Sequence, residues 1–217
     1  MIYLHTNHLL SAETSKRYLG VSYLGYGEIY MGIIKDIRAI QKKDPAARHA
    51  LEIFLTYNGM HAIWSYRIAH FFWKLKLKLL SRVISTVTRF FTGVEIHPAA
   101  YLGKNVVIDH GTGVVIGETA KVANDVLIYH GVTLGGTGNE KGIKRHPTVC
   151  TGAMLAAGSK ILGDIKVGAY AKVGANAVVL QDIPDYATAV GVPARIIPKE
   201  NTTYAVCSLE HKEKNQR

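Results

Sequence analysis

The residues able to move a proton or hold a charged small molecule fall in three short stretches of this 217-residue chain. His110 lies in Ile108-Asp-His-Gly-Thr-Gly113 with Asp109 beside it, Glu95 and His97 precede it by fifteen and thirteen residues, and Arg145-His146 follow in a glycine-rich stretch. A histidine whose tautomer is held by a carboxylate is the arrangement of a general base acting on a hydroxyl. Glu95 is the carboxylate expected to orient His110 in that role. A guanidinium pairs a carboxylate through two parallel hydrogen bonds, and a carboxylate accepts from an ammonium. Arg145 and Asp109 therefore suit the two charges of an amino acid. Taken singly, His110 reads equally well as an exposed histidine of the scaffold. The Arg145–Asp109 combination reads as a surface ion pair of little energetic worth. Their concentration in one part of the sequence favours the chemical reading.

These residues sit on a scaffold with a six-residue period. Ile96, Leu102, Ile108, Val114, Ala120, Val126 and Val132 recur in sixes, and after an interruption so do Val149, Leu155, Ile161, Val167, Val173 and Val179. Ile116, Val122, Ile128 and Leu134 form a parallel series displaced by two, so a two-residue slip is expected near Ile116. An α-helix of 3.6 residues per turn cannot keep such a stripe on one face. A hexapeptide repeat is the mark of a parallel β-helix, in which three hexads, about 18 residues, make one triangular coil. Residues one coil apart then stack. On that basis Asp109-His110 are expected under the Arg145-His146 loop, in one crevice with Glu95 nearby. Residues from about Gly136 to His146 cannot continue the repeat and must leave it as an excursion, taken as 136–147. Long loops on rigid scaffolds commonly carry function.

Upstream, residues 31–92 read as a helical domain. Asp44-Pro45 is the expected start of a helix, Asn58-Gly59 a stop, and Met60 to Phe91 a further helical run ended by Gly93. The β-helix spans 93–198, a polar tail 199–217, and residues 1–30 form an extension without assignment.

A net charge of +10 suits a polyanionic partner, whether nucleic acid, acidic membrane or phosphorylated cofactor. No nucleic-acid motif accompanies it. The chain shows neither a signal-like amino terminus nor an apolar stretch able to span a bilayer, and Cys150 and Cys207 are expected as reduced thiols. A cytoplasmic protein without nucleic-acid or membrane partners is the expectation.

Several longer motifs carry a resemblance. Asp44-Pro-Ala-Ala-Arg48, Thr92-Gly-Val-Glu-Ile-His-Pro98, Ile108-Asp-His-Gly-Thr-Gly-Val-Val-Ile-Gly-Glu-Thr119, Val132-Thr-Leu-Gly-Gly-Thr-Gly138, Lys144-Arg-His-Pro147 and Gly191-Val-Pro-Ala-Arg195 together resemble the serine O-acetyltransferases, of the hexapeptide-repeat acyltransferase superfamily. The resemblance implies a left-handed parallel β-helix preceded by an α-helical N-terminal domain. It implies transfer of an acetyl group from acetyl-CoA to the hydroxyl of L-serine, the first step of cysteine biosynthesis from serine. No tightly bound cofactor is expected. It suggests His110 as general base with Glu95 orienting it, and Asp44, Asp109, Arg145 and His146 as the serine-binding set. CoA is expected along a groove between neighbouring copies, near Gly136, Ala157, Gly158 and Ala175, with Lys172 and Arg195 toward the phosphates. It further implies L-cysteine as a feedback inhibitor and a homo-oligomer, either a trimer or a dimer of trimers. The cysteine synthase partnership of longer members is not expected, because the chain ends Lys214-Asn-Gln-Arg217 and not in isoleucine.

Three other readings compete. A sugar or other hydroxyl acceptor suits the same scaffold and base but leaves Asp44 and Arg145 without a purpose. A zinc site across a trimer seam would draw on His97, His110, His130 and His146. A purely structural solenoid explains the repeat but not the motif cluster beside the excursion.

Overall fold

The computed structural model describes residues 26–138 and 142–199. The start of the N-terminal extension, residues 139–141 of the excursion and the tail from 200 lie outside them. The chain divides into two compact units, Met1–Lys35 and Asp36–Arg217. The described part of the first is the opening of helix α1 (Tyr26–Lys43).

Three more helices follow: α2 (Ala50–Thr56), α3 (Asn58–Lys74) and α4 (Lys78–Thr92). Their ends differ from the expected ones. Asp44-Pro45 does not open a helix. The Asp44 carboxylate instead closes a turn by accepting from the Ala46 N–H at 2.8 Å, and α2 begins only at Ala50. Asn58-Gly59 follows the end of α2 at Thr56, as expected of a stop, and itself begins α3. A side chain at Gly59 would meet Ile108, with its Cβ at 2.9 Å from the Ile108 Cβ, so only glycine lets α3 approach the solenoid this closely. The expected run to Phe91 breaks at Leu75–Leu77, where Lys76 takes φ 63°. Gly93 ends α4 as expected, at φ 72°.

Helix α4 is inverted relative to an ordinary surface helix. Ser81, Ser85 and Thr92 are buried, Ser85 donating to the Ile96 carbonyl at 2.7 Å, while Leu79, Phe90 and Phe91 are 80%, 83% and 75% exposed.

The solenoid begins with β1 (Glu95–Ile96), β2 (Tyr101–Leu102), β3 (Val107–Asp109), β4 (Val115–Ile116), β5 (Lys121–Val122), β6 (Leu127–Tyr129) and β7 (Thr133–Gly135). After the excursion come β8 (Thr148–Val149), β9 (Met154–Leu155), β10 (Lys160–Leu162), β11 (Lys166–Val167), β12 (Lys172–Val173) and β13 (Val178–Val179). Strands β14 (Thr188–Val190) and β15 (Arg195–Ile197) close the end. Every third strand pairs in parallel as far as β13, and β14 then pairs with β12, giving a first face β1-β4-β7-β10-β13, a second face β2-β5-β8-β11 and a third face β3-β6-β9-β12-β14. This is the left-handed parallel β-helix. Strand β15 pairs antiparallel with β14.

Both six-residue series point inward: Val114 and Ile116, Ala120 and Val122, Val126 and Ile128, and Val132 and Leu134 are all buried. One of each pair lies on a strand and the other at the preceding corner. Register records where the repeat is broken. Val115 pairs with Thr133 and Lys160 with Val178, offsets of eighteen, but Glu95 pairs with Val115, an offset of twenty. The two extra residues lie between β3 and β4, in the corner that carries His110. Thr133 pairs with Lys160 at an offset of twenty-seven, so the excursion adds nine. Cys150, expected as a thiol, is buried and disulfide-bonded. Cys207 lies outside the described residues.

Candidate active site

The lengthened corner between the third and first faces holds His110 in the left-handed region, at φ 58°. A non-glycine residue there is uncommon and costs backbone energy. Here it turns the imidazole outward, where it is exposed. Asp109, the last residue of β3, lines a cleft of about 330 Å³ with His110, Asp44, Tyr57, Asn58 and Gly59. Asp44 and Asp109 thus share one cleft with the histidine, although 65 residues separate the two carboxylates in sequence. The close approach of Gly59 to Ile108 brings the start of α3 over this corner.

Tyr57, which sequence reasoning missed, completes the cleft. Its hydroxyl donates to the second Asp44 oxygen at 2.6 Å. Burial and the Asp44 hydrogen bond push its pKa up to about 12, so the phenol keeps its proton. Both Asp44 oxygens are therefore held, one by the Ala46 amide and one by Tyr57. Its position beside an Asn-Gly pair reads as a helix boundary, and nothing in the sequence pattern marks it as a partner of Asp44. His130, one coil on, packs edge-on against His110 with ring centres 5.8 Å apart.

Glu95 lies on β1 and its carboxylate accepts from Arg89 at 2.8 Å. Among the described residues, no hydrogen bond joins it to His110.

Arg145 and His146 stand elsewhere, against the expectation of a single crevice. His146 is buried against Gly117 and Thr119, at the corner between β4 and β5, which is the edge joining the first and second faces. His110 is on the edge joining the third and first. Arg145 pairs with Glu118 at 3.2 Å and lines a separate cleft of about 870 Å³ with Trp73, Tyr101, Thr119 and Ile143. The His146 nitrogen Nδ1 accepts from the Thr119 backbone, 3.2 Å away. Burial, with the adjacent Arg145 charge, holds the His146 pKa below the usual histidine value, so the ring is neutral at pH 7. His97 behaves alike: burial above all, then Arg82, lowers it to about 4, and its Nδ1 accepts from the Ala99 N–H at 3.1 Å.

The residues expected to meet CoA divide in the same way. Gly131 N–H donates to Thr112, Gly158 N–H to His130 and Asn176 N–H to Ala157, so Ala157, Gly158 and Ala175 run down the edge that His110 begins. Gly136 opens the excursion beside Arg145 on the other edge. Lys172 opens into a third cleft with Tyr170 and Tyr186, and Arg195 is on β15, so neither is grouped with the glycine and alanine column. Among the described residues, no three His, Cys, Asp or Glu side chains gather as a metal site and no helix is long and apolar enough to cross a membrane.

One copy thus presents an exposed imidazole beside two carboxylates on one edge and a guanidinium with a neutral imidazole on another. A model of the serine acetyltransferase N-terminal region matches residues 4–65. The chain is 58% identical to a serine acetyltransferase of Bacillus pumilus over 163 residues, 75% of each chain. Among solved structures, it is similar to a serine acetyltransferase in complex with cysteine, at a TM-score of 0.76 and 48% identity over 80% of this chain and 71% of that one. It is also similar to a serine acetyltransferase in complex with CoA, at 0.73 and 46% over 79% and 70%. With likeness of this extent across helical region and solenoid alike, the chain belongs to the serine acetyltransferase family.

Proposed function

We propose that this protein transfers the acetyl group of acetyl-CoA to the hydroxyl of L-serine, giving O-acetyl-L-serine and CoA as the first step of cysteine biosynthesis from serine. The observation that carries the reading is the cleft in which Asp44, Asp109 and His110 meet. The two carboxylates suit an ammonium, and the exposed imidazole suits the hydroxyl beside it. His110 takes the hydroxyl proton as the serine oxygen attacks the thioester carbonyl. The carbon–sulfur bond then breaks, and the same imidazole returns the proton to the leaving thiolate. Such general base catalysis contributes on the order of 10²–10⁴-fold. Glu95 remains the candidate to orient the imidazole: it lies on β1, paired with the strand that follows His110, and Arg89 holds one of its two carboxylate oxygens.

Arg145 and His146 bind the serine carboxylate, and they come from a neighbouring copy. Each copy carries one half-site on either side of its first face, so apposing unlike edges completes a site. Such a head-to-tail contact closes into a ring, and three copies are the expected number. The bare apolar stripe of α4, with Leu79, Phe90 and Phe91 exposed, supports an assembly that covers it. In it the column of Ala157, Gly158 and Ala175 faces Gly136 of the neighbour, a groove suited to the pantetheine arm of CoA. Lys172 and Arg195 are left as outlying candidates for its phosphates. Cysteine, which shares the ammonium and carboxylate of serine, competes for the same groups. A cytoplasmic location fits an enzyme fed by acetyl-CoA.

Release of thiol from acetyl-CoA, followed with and without L-serine, tests the reaction. Serine-dependent release is expected, and release that ignores serine but responds to a sugar acceptor would overturn it.

A further inference from the structure

We infer that Thr119 is a positioning residue of the Arg145–His146 half-site, holding both residues in place and fixing which nitrogen of His146 carries the proton. The inference rests on the reading of that pair as the carboxylate-binding half of the serine site.

Thr119 lies at the first corner after β4. Its hydroxyl oxygen accepts from the Arg145 backbone N–H at 3.0 Å and from the His146 backbone N–H at 3.1 Å. The same oxygen stands 2.8 Å from His146 Nδ1, and the Thr119 N–H is directed at that nitrogen from 3.2 Å. With two amides occupying its lone pairs, the hydroxyl must direct its own hydrogen at Nδ1. Nδ1 is then an acceptor twice over, and a neutral ring carries its hydrogen on Nε2. The ring cannot slide away toward the coil, because it lies over Gly117, where a Cβ would stand 2.9 Å from the His146 Cγ and closer still to the atoms beyond. Burial keeps the imidazole neutral. The outcome is an Nε2–H donor of fixed direction next to a guanidinium, both set by one hydroxyl at the point where the excursion rejoins the solenoid. A carboxylate recognised by such a pair binds well only while both donors hold their direction.

The test compares Thr119→Val, which keeps the shape and removes the hydroxyl, with Thr119→Ser, which keeps the hydroxyl, in the full chain. Thr119→Val is expected to raise the serine KM about tenfold, leaving the acetyl-CoA KM and the kcat at saturating serine within about twofold. Thr119→Ser stays within about twofold of the parent throughout. Nitrogen-15 NMR of the ring, assigned by its disappearance in His146→Gln, is expected to report the Nε2–H form in the parent and a mixture in Thr119→Val. If Thr119→Val does not fold, Thr119→Ala takes its place with the same expected outcomes. An unchanged serine KM with an unchanged tautomer overturns the inference, as does an equal loss in the valine and serine variants. Arg145→Ala separates the two levels: if it raises the serine KM while Thr119→Val does not, only the role of Thr119 falls. If Arg145→Ala leaves the serine KM alone, the carboxylate-binding reading falls first.

Discussion

If each site takes His110 from one copy and Arg145 from the next, two dead variants should revive one another. His110→Ala removes the base and is expected to lower kcat by about 10²–10⁴-fold. Arg145→Ala removes the fork for the carboxylate and is expected to lower kcat/KM for serine by about 100-fold. In an oligomer reassembled from equal amounts of the two, a given site receives an intact His110 edge in about half of cases and an intact Arg145 edge from the neighbour in about half. About a quarter of the sites are then wholly intact, and another quarter carry both defects. Against parents at about 1% or less, the mixture should recover roughly a quarter of the activity, a rise of some 25-fold at limiting serine. The assay is thiol release after joint unfolding and refolding, with differently tagged chains copurified to demonstrate exchange. His110→Ala mixed with the His110→Ala/Arg145→Ala double variant must show no recovery. Demonstrated exchange with activity no higher than the mean of the parents would refute the two-edge site.

Tyr57→Phe removes one hydrogen bond to a half-buried carboxylate, about 1 kcal/mol, and should lower kcat/KM for serine roughly fivefold without touching the acetyl-CoA KM. His97 has a folded pKa of about 4, below its unfolded value near 6.5, so the folded state binds fewer protons between those limits. Its contribution to stability is present above about pH 6.5 and is lost as pH falls toward 4; in His97→Asn, urea midpoints should depend less on pH across that window. Asp36, 8% exposed, accepts from Arg67 at 2.5 and 2.9 Å and from the Trp64 indole N–H at 2.9 Å. Asp36→Ala should cost about 2 kcal/mol, less than for a fully buried pair because Arg67 is half-exposed, and should lower the melting temperature by several degrees with kinetics intact.

The period of six made the solenoid legible, because a side chain that must face inward at every third of a coil leaves the same mark each time. Even the slip near Ile116 was visible, and it falls in the corner that holds His110. Helix ends were less legible. Asp44 has the composition of a cap, but its oxygens are taken by Ala46 and Tyr57, the second through a contact thirteen residues away. The candidate residues were chosen by type, and Asp44, Asp109 and His110 do share a cleft, but their types do not give the arrangement of the rest. His110 and His146 are thirty-six apart, an apparent two coils, which suggests one edge. The excursion adds nine residues that belong to no coil, and the slip two more. From Ile108 to Val149 the forty-one residues contain only five hexads, which is not a whole number of coils, so the edges differ. Thr119 and Tyr57 escaped notice because their importance lies in tertiary hydrogen bonds that no spacing encodes.

Strands on all three faces resume after the excursion at one common offset: Lys121 with Thr148, Leu127 with Met154 and Thr133 with Lys160. The inserted loop therefore leaves no scar in the stack above or below it. Natural variation can lengthen, shorten or rewrite that loop while every inward-facing side chain keeps its neighbours, so acceptor preference can drift from one descendant to another without reopening the question of how the protein folds.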